Sequence, residues 1–349
     1  MFVIYVFVAA RPIPKESIIS PRWITSLESN YPVSLGEYSG SGGNNMKFLP
    51  FRLGERYGYV GDNGLFSINN VRNGYVSISQ NIWAEYETQP SSIKVNNQAN
   101  ELLLVIEDPR GYPLFIDDRI FVIGVEQNSI SSIGSKGELL WVYDFPAPVT
   151  CFDAAGGFVL AGTLDGAVIL LDSSGTPVFT PFEPGGSRLA VILGCALSSN
   201  GSMLAIIAGI DNQRFLVMEQ FGETYRVVYH EFLTEGFRRP VHISFVDNDN
   251  RIAFEREGGL GIYDIYNRLS ATLNLEGDII YLDDSGFDQF LYIITSLGPA
   301  QKRFIAVSYP GVIAINTPFK SNNIFFARQG SSLFLGGDNA MVSLEIEKK

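Results

Sequence analysis

A strand–turn–strand unit recurs along this chain at a spacing of about 42 residues. A further apolar run precedes most of these units, and no stretch carries a helical period of useful length. Together these observations predict an all-β fold: a β-propeller of about seven four-stranded antiparallel blades, with eight as the alternative.

The units begin near 57, 120, 158, 203, 251, 290 and 332. Tyr57–Gly61 leads through Asp62-Asn63-Gly64 to Leu65–Asn69 and Tyr75–Ser79. Ile120–Val125 leads to Ser129–Ile133 and Leu139–Tyr143. Phe158–Gly162 leads through Asp165-Gly166 to Ala167–Asp172 and Val178–Thr180. Met203–Gly209 leads to Phe215–Gln220 and Tyr225–Phe232. Ile252–Glu255 leads to Leu260–Tyr266 and Ser270–Leu275. Phe290–Thr295 leads to Phe304–Tyr309 and Val312–Asn316, and Ser332–Gly336 leads to Met341–Glu347. Apolar, β-branched and aromatic residues fill the strands, while Gly, Asn and Asp fill the turns, as strand and turn chemistry demand.

The missing member of each blade is the apolar run before each onset. Val149–Ala154, Ala190–Leu197, Val241–Val246, Ile279–Leu282 and Ile324–Ala327 qualify. Near-continuous apolar runs suit strands covered on both faces, so these are the expected innermost strands, lining the axial channel. One interval is irregular. The 63 residues from 57 to 120 contain an excess around Asn81–Gly111, expected to be a long hairpin or a degenerate extra blade. The last unit has no outer strand before Lys349, whereas Trp23–Leu27 and Tyr31–Tyr38 are spare. A strand from about residues 21–40 is therefore expected to pair with Met341–Glu347 and close the ring.

Residues 1–20 read as a truncated signal- or anchor-like segment and tether, and residues 21–349 as a single propeller domain. Met1–Ala10 is an unbroken apolar run, too short to cross a membrane as a helix but suited to the core of an export signal. A basic leader is missing, as it would be if the true start lay upstream. No Cys follows for lipid attachment. The expected location is exported: periplasmic, or tethered to a membrane and facing the periplasm.

Apolar residues make up 46% of the chain and charged ones 18%, enough for a large core and too little charge for disorder. The net charge of −12, with no long basic run, argues against nucleic-acid binding. Cys151 and Cys195 are too few for a disulfide framework or a zinc site. Their separation of about one repeat puts them on matching strands of neighbouring blades, expected to be apart as free thiols.

Gly157–Phe179, with Asp165-Gly166, Asp172 and Gly175, resembles the repeat of bacterial quinoprotein-like propellers, and Trp141 matches a common tryptophan of that repeat. Ala196–Gly209 looks more like a WD40 strand–turn–strand, although the Trp-Asp and Gly-His pairs are absent. In size and apparent export, the chain resembles the propeller scaffold subunit of bacterial outer-membrane protein assembly. That resemblance implies a non-enzymatic role in binding proteins. The lipid-anchoring Cys usual there is missing.

Little in the sequence points to catalysis. His230 and His242 have no G-x-S-x-G elbow to serve. Asp117-Asp118, Asp247-Asn248-Asp249 and Asp283-Asp284 sit where Asp and Asn build turns, and Asp247–Asn250 lacks the later Gly and Glu of a calcium loop. No catalytic, metal or cofactor-binding residue is expected. The candidates for partner contact are Phe237, Arg238 and Arg239, which with Pro240 form a cationic aromatic corner in an acidic chain. Arg110 and Tyr112 beside the irregular interval, and Trp83 within it, join them. The expected function is a non-enzymatic scaffold in the bacterial cell envelope, with protein partners that are membrane-associated. The alternatives are a propeller hydrolase or carbohydrate-active enzyme with channel-mouth carboxylates, and a cytoplasmic adaptor.

Overall fold

The computed structural model describes residues 17–28, 33–34, 47–116, 118–233, 236–283, 290–330 and 332–348. Met1–Ala10, Asp117 and Asp284 lie outside them. Every regular element among the described residues is a β-strand, and none is a helix able to cross a membrane.

The strands form eight antiparallel sheets. β1 (Ser17–Ser26) and β2 (Val33–Ser34) come first in the chain but belong to the last sheet. The first blade is β3 (Phe48–Leu53), β4 (Arg56–Gly61) and β5 (Phe66–Val71). The second is β6 (Tyr75–Ile78), β7 (Ile82–Tyr86), β8 (Ser92–Asn97) and β9 (Leu102–Glu107). The third is β10 (Gly111–Ile116), β11 (Arg119–Gly124), β12 (Ser129–Ile133) and β13 (Leu139–Asp144). The fourth has β14 (Val149–Ala155), β15 (Phe158–Thr163) and β16 (Val168–Leu171), with isolated bridges from Leu171 to Pro177 and from Val168 to Phe182 in place of a regular outer strand. The fifth is β17 (Ile192–Leu197), β18 (Met203–Ala208), β19 (Arg214–Phe221) and β20 (Thr224–Phe232). The sixth is β21 (Ile243–Val246), β22 (Arg251–Arg256), β23 (Gly259–Asp264) and β24 (Leu269–Asn274). The seventh is β25 (Asp278–Asp283), β26 (Phe290–Ser296), β27 (Gln301–Ser308) and β28 (Val312–Lys320). The eighth is β29 (Ile324–Gln329), β30 (Ser332–Gly337) and β31 (Ala340–Lys348), completed by β1 and β2.

Eight blades rather than seven result because the irregular interval holds a complete blade. The residues suspected of being a hairpin or an extra blade supply β7, β8 and β9. The first blade explains the rest of the irregularity. The backbone N–H of Arg72 donates to Glu55 O at 2.8 Å, so the β3–β4 turn shares a face with the β5–β6 link. Gly54 in that turn adjoins Asn323 before β29. The Gln80 side chain, in the opposite turn after β6, reaches Phe48 O at the start of β3. β3, β4 and β5 therefore run in the sense of second, third and fourth strands elsewhere. The onset near 57 marks β4, the middle strand of the three described in its sheet and reversed in direction, and Tyr75–Ser79 opens the next blade. Starts at Phe48, Ile82 and Arg119 then fall at nearly even spacing.

The apolar runs assigned to the channel are β14, β17, β21, β25 and β29, each first in its sheet. First strands of neighbouring blades adjoin directly, β14 on β17 and β17 on β21. Each of the eight seams encloses its own apolar cluster. Phe215 and Phe254 stack at 4.1 Å in the seam between the fifth and sixth blades. Cys151 and Cys195 lie on matching first strands, as their spacing implies. The expectation that they stand apart is overturned, because adjoining strands put both side chains in one seam cluster.

The ring closes through β1. It runs antiparallel to β31, with Trp23 opposite Ser343 and Ser26 opposite Ala340. The closing strand thus comes from the expected region, although it starts at Ser17, within the stretch read as tether. Trp23 is 3% exposed, meets Phe334 edge-on at 5.7 Å and donates from Nε1 to Asp62 O at 2.7 Å. One side chain therefore ties the closing strand to the eighth and first blades.

Two predictions follow from this packing. Trp23→Ala should destabilise the protein by about 3–5 kcal/mol in denaturant unfolding. Ile24→Ala, on the same strand but 40% exposed, should cost under about 1 kcal/mol; equal losses would show that Trp23 is no clasp. The second concerns pH. Tyr57 and Tyr59 fill the seam between the first and second blades. Burial pushes the Tyr57 hydroxyl up to about 12 and that of Tyr59 higher still. The fold favours their neutral forms, so this stability is complete below pH ~10, where unfolded tyrosines ionise, and is lost as pH rises through the folded values. The Tyr57→Phe, Tyr59→Phe protein should lose stability less steeply between pH 10 and 12.

Candidate interaction face

Strand alternation gives the ring two faces. Turns between first and second strands, and between third and fourth, lie on one. Links between blades, and turns between second and third strands, lie on the other. The candidate residues with surface exposure gather on this inter-blade face.

Its clearest feature is a row of three tyrosines. Tyr75 opens β6, Tyr86 ends β7 and Tyr112 is the second residue of β10. The Tyr75 and Tyr86 rings stack at 5.9 Å, and the Tyr86 and Tyr112 rings lie 6.2 Å apart. Tyr75 is 53% exposed. Local backbone geometry sets the row. A Cβ on Gly74 would stand 2.6 Å from Tyr86 O, and one on Gly111 2.1 Å from Ile123 O. Only glycine lets each first strand start so close to the second, and in both blades a tyrosine follows immediately.

Beside the row, Asp108 and Arg110 form an exposed ion pair at 2.9 Å, both with left-handed backbone around Pro109. They border a cavity of about 520 Å³ between the second and third blades, with Val122, Leu139 and Val142 among its walls. Trp83 contributes nothing to this surface. It is buried, tilted against the Tyr57 ring at 5.4 Å, and donates from Nε1 to Asn97 O at 3.0 Å, so its place is the seam core.

The Phe237–Pro240 corner lies on the same face, three blades further round. Its two arginines have different roles. Arg239 grips Glu255 with two nitrogens, at 3.0 and 2.8 Å, and reaches Asp278 at 3.3 Å. The Glu255 side chain is 2% exposed and also accepts from His242 N at 3.2 Å. Arg239 thus joins the corner to the sixth and seventh blades, with its guanidinium 4.3 Å from the Phe237 ring centroid. The Glu255 hydrogen bonds hold the Arg239 pKa above its ordinary value. Arg238 is exposed.

The acidic cluster Asp247-Asn248-Asp249 is built into a turn. Asp247, Asn248 and Asp249 all have left-handed backbone. Asp247 pairs with Arg251, and Asp249 accepts from Ser199 N at 2.8 Å across a blade boundary. Among the described residues, no three His, Cys, Asp or Glu side chains converge as metal ligands would. His230 lies on β20 with its ring 6.1 Å from that of Phe232, and His242 precedes β21, exposed.

Sequence reasoning singled out Tyr112 but missed its alignment with Tyr75 and Tyr86. The recoverable signal was the Gly-Tyr pair, at Gly74-Tyr75 and Gly111-Tyr112, opening two successive first strands.

Known proteins match this geometry. An uncharacterized protein of Treponema pallidum (strain Nichols) is 26% identical over 346 residues, covering 98% of this chain and 90% of that protein. The crystal structure of BamB from Moraxella catarrhalis is similar with a TM-score of 0.59 at 12% identity, covering 94% of this chain and all of that one. A chain of the mitotic checkpoint complex is similar with a TM-score of 0.57 at 13% identity, covering 90% of this chain and 96% of that one. At such identities the structural likeness concerns the fold. A family model described as beta-propeller protein matches residues 1–349, and the chain belongs to that family.

Proposed function

We propose that this propeller is a non-enzymatic scaffold of the bacterial cell envelope, docking a membrane-associated protein partner on its inter-blade face. The observation that carries the reading is the Tyr75–Tyr86–Tyr112 row. Tyrosine and arginine are enriched at binding hot spots because each offers a large contact area with a polar tip. Here the row stands next to Arg110, with Arg238 on the same face. The similarity to a chain of the mitotic checkpoint complex is consistent with a propeller that works inside an assembly. The apolar Met1–Ala10 run supports export and a tether, and with them a partner at a membrane.

The test is a pull-down from membranes, read by mass spectrometry. Tyr75→Ala with Tyr112→Ala should weaken partner binding by about 2 kcal/mol or more while leaving the melting temperature nearly unchanged. Undiminished recovery would move the docking surface elsewhere. The two arginines should separate in the same assay. Arg238→Ala should reduce recovery without touching stability, since exposed charges contribute little to folding. Arg239→Ala should lower stability by about 2 kcal/mol, because it leaves the buried Glu255 carboxylate short of donors. A stable Arg239→Ala protein would contradict the bridging role.

A further inference from the structure

Cys151 and Cys195 lie on β14 and β17, the adjoining first strands of the fourth and fifth blades, one register step apart: Cys151 stands opposite Gly162 of β15 and Cys195 opposite Ile206 of β18. Hydrogen bonds lace these strands on either side of the two cysteines. Thr150 Oγ1 donates to Ile192 O at 2.5 Å, and Leu197 N donates to Asp153 Oδ2 at 2.7 Å. Both cysteine side chains lie in the seam cluster with Leu160, Ile192 and Leu197. Space for the Cys151 sulfur comes from Gly162 on β15, where a Cβ would stand 2.6 Å from Sγ. The Cys195 thiol lies 3.9 Å from Leu160 O, with the Cys151 side chain packed against the same cluster and close enough to act on it.

The two thiols differ in reach. Cys195 is 7% exposed, while Cys151 is partly exposed. Burial pushes the Cys195 thiol up, and the neighbouring Cys151 and Asp153 push in the same direction. Cys151 is therefore the sulfur that a soluble reagent meets first, and Cys195 is the one held protonated behind it.

We propose that Cys151 and Cys195 form a dithiol site that closes to an inter-blade disulfide by exchange with a disulfide oxidant such as oxidised glutathione. The Cys151 thiolate attacks one sulfur of the oxidant, forming a mixed disulfide and releasing one glutathione thiolate. The Cys195 sulfur then attacks Cys151 Sγ, the mixed disulfide breaks, and the second glutathione leaves. The thiol protons pass to the departing thiolates. Two protein thiols lose two electrons, and one glutathione disulfide gains them. The bond would fasten the inner end of a seam whose fourth blade has only isolated bridges at its outer edge. This inference does not depend on the partner-docking reading.

The experiment incubates the folded full chain in a series of reduced and oxidised glutathione buffers. It then quenches with acid, alkylates under denaturing conditions and weighs the intact protein. At the oxidising end the chain should take up no alkyl group and weigh two hydrogens less, and digestion should yield a peptide joining Cys151 to Cys195. Its melting temperature should rise by about 5 °C over the reduced form. Cys195→Ser should stop at a glutathione adduct on Cys151. Two alkylated cysteines after oxidation would overturn the proposal. So would an adduct on the unaltered chain that never resolves, or a cross-link that forms only in denaturant.

Discussion

Closure is the constraint on which this architecture rests. Sheets arranged around an axis leave two open edges unless the first and last blades are joined, and open edges invite unwanted pairing. The chain meets this by giving β1 to the eighth blade, where it pairs along β31 from Ser17 to Ser26. Backbone hydrogen bonds alone would let that strand slide. Trp23 fixes its register, since its indole meets Phe334 in the eighth blade and its N–H reaches Asp62 of the first. The rest of the ring inherits its alignment from this clasp.

Within the closed ring, cohesion is a property of seams rather than of a single central core. Each of the eight clusters draws side chains from two neighbouring blades, so every blade is held by contacts on both sides. This nearest-neighbour logic is general to repeat folds. It tolerates irregular members: among the described residues the fourth blade has isolated bridges in place of a regular outer strand and the first has three strands, yet both retain full seam clusters. Polar groups reinforce the same seams at the faces. Arg239 bound to Glu255 and Asp278 bridges the sixth and seventh blades, and Asp249 receives Ser199 from the fifth.

Much of this was legible in the sequence because apolar strands and Gly or Asp turns repeat the same local physics. The onsets near 120, 158, 203, 251, 290 and 332 each fall within a residue of the second strand of a blade. The onset near 57 also falls within a residue of a strand, β4, but the direction of that strand was not legible, for a physical reason. Pattern reports that a segment is a strand, not which way it runs or which rank it has in its sheet, and β4 reads like any second strand. Only the positions of Glu55, Asn323 and Gln80 reveal the reversal. The cysteines show a similar limit. Periodicity placed them on equivalent strands, but the distance between equivalent strands depends on their rank. Innermost strands of adjacent blades nearly touch, whereas outer strands diverge. Arg239 could not be told from Arg238 in a linear reading, because the buried carboxylate that claims it lies on the next strand pair.

The same repetition explains how a surface feature can arise on such a scaffold. In most of the ring the start of the first strand carries residues suited to the seam or to solvent, such as Val149, Ile192 and Asp278. In the second and third blades that position is a tyrosine after a glycine whose missing Cβ lets the strand start close to its neighbour. A single local choice made twice in succession places two rings at equivalent points of adjacent blades, one blade's rotation apart. Tyr86, at the end of the intervening second strand, fills the gap and makes the row continuous. No insertion or special loop is needed. The regular displacement of one blade to the next turns a two-residue motif into an extended aromatic surface, and the seams beneath it hold the rings in place.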